Sequence, residues 1–71
     1  MKRRRNLDDL ERKTLVLHTS DGQSFRGVLL HMFKDSVVLC EVEHLDGDVR
    51  VELAGHVVIP RPNVSWLQVT A

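Results

Sequence analysis

The sequence has one cysteine, no tyrosine and no long apolar run. With Cys40 alone, neither an internal disulfide nor a four-cysteine zinc site can form. No run of apolar side chains exceeds Val37-Val38-Leu39-Cys40, far short of the roughly 20 that span a bilayer as a helix. No membrane segment is expected. Lys2-Arg3-Arg4-Arg5 imitates the positive start of a signal peptide, but Asn6-Leu7-Asp8-Asp9 follows where an apolar stretch is required. A free thiol without an export signal favours a reducing compartment. The expected location is the cytoplasm, or a virus particle assembled there.

Net charge is also lacking, yet the balance of 10 basic and 10 acidic residues hides an asymmetry. Lys2, Arg3, Arg4, Arg5, Arg12 and Lys13 face only Asp8, Asp9 and Glu11 within residues 1–13, a net of +3. Beyond them Arg26, Lys34, Arg50 and Arg61 face seven acidic residues, a net of −3. This describes a basic arm on a mildly acidic body. The arm either binds phosphates or serves as a solvated terminus. With 42% hydrophobic and 28% charged residues, the chain reads as globular. At 71 residues it holds one domain. A lone core of this size supplies about 3–5 kcal/mol, so a second copy is the first expected supplement.

Residues 1–5 form the arm and residues 6–70 the domain. A short helix is expected over about 6–13: Asn6 caps it, Asp8 and Asp9 occupy its first turn, and Arg12 and Lys13 close its last. Five strands are expected over about 14–69. Thr14 to Thr19 is followed by a Ser20-Asp21-Gly22 turn, and Ser24 to Met32 carries Gly27, the mark of a bend or a close backbone approach. Phe25 and Leu29 lie on one face of this strand, with Val28, Leu30 and Met32 on the other. Ser36 to His44 is the third strand. Asp46-Gly47 suits a type I′ hairpin turn. Val49 to Ile59 is a long fourth strand bent at Ala54-Gly55, half-buried because Val49, Val51 and Leu53 alternate with Arg50 and Glu52. Pro60-Arg61-Pro62 interrupts the ladder, and Asn63 to Val69 is the fifth.

A helix ahead of five bent strands resembles the Sm and Sm-like (LSm) proteins, which include the Hfq type. The first Sm motif is matched by Asp21-Gly22, by Gly27 five residues on, and by Ser36-Val37-Val38-Leu39 leading to Glu41 and Glu43. The second is matched by Ala54-Gly55-His56-Val57-Val58-Ile59 and then Asn63-Val64. The resemblance implies a strongly bent five-stranded Sm-like (SH3-like) barrel with an N-terminal helix. It also implies a homo-oligomeric ring of about five to seven copies, closed by pairing the fourth strand of one copy with the fifth of the next. Val57, Val58 and Ile59 would meet Val64, Trp66 and Leu67 there.

In family members that bind uridine-rich RNA, the loop after the second strand carries an Asp, a stacking residue and an Asn. Counting back from Leu39, these slots hold Met32, Lys34 and Ser36; counting forward from Gly27, the Asp slot holds Phe33. In the second motif Pro60 takes the arginine slot and Arg61 the glycine slot. A single-stranded RNA site needs a flat surface for a base and a cation for a phosphate. Phe33, Lys34 and Arg61 supply these, and Ser36 and Asn63 supply hydrogen bonds to base edges. Two bland roles stand beside these: Phe33 as a plug closing the barrel end, and Arg61 as a grip on a neighbouring subunit. The competing function is a structural or adaptor ring with protein partners and no RNA site.

No cofactor, metal or catalytic role is expected. His18, His31, His44 and His56 are 13, 13 and 12 residues apart, about one per strand, whereas zinc ligands pair about two to five apart. Cys40 reads as a small buried hydrophobe. Trp66 reads as a packing or interface anchor.

Overall fold

The computed structural model describes residues 11–70. Six strands follow in order: β1 (Thr14–Thr19), β2 (Ser24–Met32), β3 (Ser36–Asp46), β4 (Val49–Leu53), β5 (Val57–Pro60) and β6 (Val64–Val69). A 3₁₀ turn, Arg61–Asn63, joins β5 to β6. All pairings are antiparallel, in the order β4-β3-β2-β1-β6, with β5 also lying along β3. The expected long fourth strand is therefore two pieces separated at Ala54-Gly55-His56. β5 pairs with Ser36–Leu39 of β3 and β4 with Val42–Asp46, so both continue one edge.

The break between β4 and β5 follows from a bend in β3. Val28 pairs with Cys40 but Arg26 with Glu43, so β3 holds one extra residue opposite Gly27. Glu41 takes that slack with φ 52, the left-handed region that L residues rarely enter. This bulge switches the inward positions from Val37 and Leu39 to Val42, all three buried. A second bulge falls on β2, where Leu29 pairs with Leu39 and His31 with Val38. It leaves His31 exposed beside Leu30 and brings Met32 against the core. The simple alternation that groups Met32 with Val28 and Leu30 is thereby corrected.

The inward side chains Leu15, Leu17, Leu29, Val37, Leu39, Val42 and Ile59 form the core, flanked by Phe25, Met32, Leu53, Val57, Val64 and Leu67. At the β3–β4 hairpin the core runs out: Val49 and Val51 are exposed, although a half-buried strand would have covered their face. They share the inward face with His44 but lie beyond the last residue that closes over it. The hairpin loop is Gly47-Asp48, with φ 62 at Gly47 and no positive φ at Asp48. That is the sign pattern of a type II′ turn with glycine first, one residue later than the type I′ turn expected. Cys40 is half-buried on the outer face, not buried.

Of the expected helix, residues 6–10 lie outside the described residues, as does the arm of Lys2, Arg3, Arg4 and Arg5. Its expected last turn is not helical. Arg12 has φ 69, which ends a right-handed helix, and its N–H donates to the Leu29 carbonyl at 2.7 Å. The chain is thereby steered onto β2 before β1 begins.

Candidate nucleic-acid interface

The short β2–β3 connection is closed by the Phe33 N–H donating to the Ser36 carbonyl at 2.8 Å. Arg61 then binds this connection twice. Its backbone N–H donates to the Asp35 carbonyl at 2.9 Å, and its Nη1 donates to the Phe33 carbonyl at 3.3 Å. Pro60 and Pro62 on either side restrict the backbone there and so favour this one arrangement. On the far side of the 3₁₀ turn, the Asn63 carbonyl accepts from the Ser20 N–H at 2.7 Å and from its hydroxyl at 3.2 Å. Two turns far apart in sequence are thus fixed against each other, and the β1–β2 turn braces them.

The five expected site residues fall on these turns. Phe33 is 51% exposed, so its ring does not plug the barrel end. The Phe33 and His31 rings meet edge-to-face, with centroids 4.3 Å apart at 61°, and His31 Nδ1 lies 2.7 Å from a Glu11 carboxylate oxygen. Lys34, Arg61 and Asn63 are exposed; Ser36 is half-buried opposite Pro60. Beneath Arg61 lies a cavity of about 200 Å³ lined otherwise by Met32, Val37, Val64 and Leu67. The arrangement presents an aromatic face, two cations and an apolar recess together. His31 and Glu11 were missed by sequence reasoning. Nothing in their spacing signals that a bulge at Leu30 would carry His31 to Phe33.

Elsewhere the sheet carries the opposite charge. A cavity of about 400 Å³ beside β3 and β4 is lined by Glu41, Glu43, Glu52, Val42 and Leu53. Glu43 and Glu52 stand directly opposite one another across the strands, which repels a phosphate. The histidines stay apart: His18 lies on Trp66, His44 beside Phe25 and His31 beside Phe33. Among the described residues, no three His, Cys, Asp or Glu side chains gather as a metal would require.

No family model matches the chain, and no curated protein matches it in sequence. Solved structures match it in shape. A heptameric archaeal Sm protein superposes with a TM-score of 0.83 at 20% identity, covering 92% of this chain and 96% of the other. The Sm protein of Pyrococcus abyssii in complex with a uridine heptamer gives 0.81 at 28% identity, covering 94% of this chain and all of the other. This is the Sm-like fold. The chain also matches one from the NatC complex bound to CoA, with a TM-score of 0.83 at 21% identity over 97% of this chain and 90% of that one.

Proposed function

We propose that copies of this Sm-like chain close into a ring of about five to seven subunits and bind single-stranded RNA, without catalysis, through the turns at 33–36 and 61–63. The observation that carries the RNA reading is the double hold of Arg61 on the β2–β3 connection, which leaves the Phe33 ring exposed beside a guanidinium. A base stacks on Phe33, Lys34 and Arg61 meet phosphates, and Ser36 and Asn63 donate or accept at base edges. The likeness to an Sm protein solved with a uridine heptamer supports the ligand class. Ring closure is supported by the two sheet edges. Among the described residues, β5 pairs only with β3 and β6 only with β1, and unpaired edges of this kind invite a second chain.

The test combines native mass measurement with binding of uridine-rich and adenine-rich single strands. A ring that binds either of them, and a Phe33→Ala variant of unchanged mass that loses about 1–3 kcal/mol of affinity, are the expected results. A stable monomer at micromolar concentration sinks the ring.

The second reading is an adaptor ring without an RNA site. It is favoured by Val49 and Val51, 57% and 46% exposed on the projecting hairpin, where an apolar pair suits a protein partner. A ring with no measurable RNA affinity selects it.

A further inference from the structure

The single tryptophan lies on β6, outside the turns at 33–36 and 61–63. Trp66 sits on β6 directly opposite His18 of β1, and the two rings stack with centroids 3.8 Å apart at 17°. His18 is held in turn by the Ser24 hydroxyl, 3.0 Å from Nδ1, while its Nε2 is buried without a partner. What the histidine provides is a flat support. Resting on it, Trp66 is still 54% exposed, on a strand whose outer edge is unpaired among the described residues.

The opposite edge offers a match. On β5, Val57 and Ile59 pack inward and Val58 points out, 60% exposed. On β6, Val64 and Leu67 pack against the core and Trp66 points out. When β5 of one copy continues the sheet at β6 of another, inward side chains extend the core and outward side chains share the outer face.

We infer that Trp66 is the apolar anchor of the contact between copies, covered by Val58 of the neighbouring copy, and that His18 is its positioning residue. The inference rests on the ring reading and adds to it which side chains hold adjacent copies together. A large aromatic seated on a rigid support loses little freedom on contact, the usual character of an interface hot spot.

Because Trp66 is the chain's one tryptophan, its fluorescence reports this contact without labelling. Full-length protein is diluted from the micromolar range while mass and emission are followed together. The assembled form should emit at shorter wavelength, with acrylamide quenching at least about twofold weaker than in a Val58→Asp variant. That variant should be monomeric. His18→Ala should raise the concentration for half-assembly by about tenfold or more, the size of a modest hot spot. His18→Phe, which keeps a flat face, should restore it. A ring whose tryptophan is quenched as readily as the monomer's overturns the anchor while leaving the ring intact. Failure of His18→Phe to rescue overturns the positioning role. Emission quenched by oligouridine in a fully assembled ring would make Trp66 a base platform and also overturn the inference. No assembled species at any concentration removes the ring and the anchor together.

Discussion

Gly27 and Val42 face each other across β2 and β3 so closely that a Cβ on the glycine would lie 3.1 Å from a Val42 methyl. The same Cβ would lie 3.1 Å from the Cys40 carbonyl oxygen, a backbone atom fixed in the ladder. The bend in the sheet and the left-handed Glu41 meet at this point, so the curvature depends on an absent side chain.

Gly27→Ala should therefore lower stability by about 1–3 kcal/mol, the cost of overpacking a closed site. Glu41→Gly should act in the other direction, gaining up to about 1 kcal/mol, because relief of the left-handed strain exceeds the added freedom of the unfolded chain. Urea denaturation at one fixed protein concentration measures both, and a destabilised Glu41→Gly would show that the carboxylate matters more than the backbone.

Leu17 is fully buried in a row that runs from Leu67 through Leu17 to Phe25. Leu17→Ala should cost about 2–5 kcal/mol, comparable with everything a core of this size supplies. The expected outcome is a chain that folds only when assembled, seen as a melting temperature that rises steeply with concentration. A concentration-independent melt close to the parent's contradicts it.

Arg61→Ala separates the two functional readings. The side chain is exposed and its bond to the Phe33 carbonyl is long, so the fold should lose about 0.5 kcal/mol or less. Affinity for single-stranded RNA should fall by about 1–3 kcal/mol. A loosened ring with no affinity to lose points to the adaptor.

If Lys2, Arg3, Arg4 and Arg5 contact phosphates, binding should weaken with salt at a log–log slope of about −0.7 for each phosphate engaged. Deleting residues 1–5 should flatten the slope and leave the ring's mass unchanged. An unaltered slope identifies the arm as a solvated terminus.

The strand limits at Thr14–Thr19 and Ser24–Met32 were legible because Ser20-Asp21-Gly22 and the polar Lys34-Asp35 bound these apolar stretches. The close approach at Gly27 was legible because only glycine tolerates it. Glu41 was not, since its own side chain has no turn preference and its conformation is imposed by the glycine across the sheet. The exposure of Val49 and Val51 was hidden for a related reason: alternation marks which face a residue takes, not whether anything covers that face. Phe33 and Arg61 were singled out through the Sm resemblance and the chemistry of bases and phosphates. Their actual contact spans 28 residues, and it needed the sheet register to appear. The stack of His18 on Trp66 needed the same register, and neither residue's neighbours in sequence hint at it.

The Thr70 N–H donates to the Thr14 carbonyl at 3.0 Å, tying the end of β6 to the start of β1. The pairings from β1 through β4 join strands that follow one another, whereas the β1–β6 ladder joins the first described strand to the last. A ladder of such long sequence separation forms late, because its loop must close before any contact rewards it. During synthesis Leu15 and Leu17 would thus wait, uncovered on one side, until β6 emerged. Pulse-labelled hydrogen exchange should accordingly find amides of β2 and β3 protected before those of β6. In the proposed ring, the strand that completes the subunit last is also the one whose outer edge would receive the next copy, so assembly would inherit the pace of that final pairing.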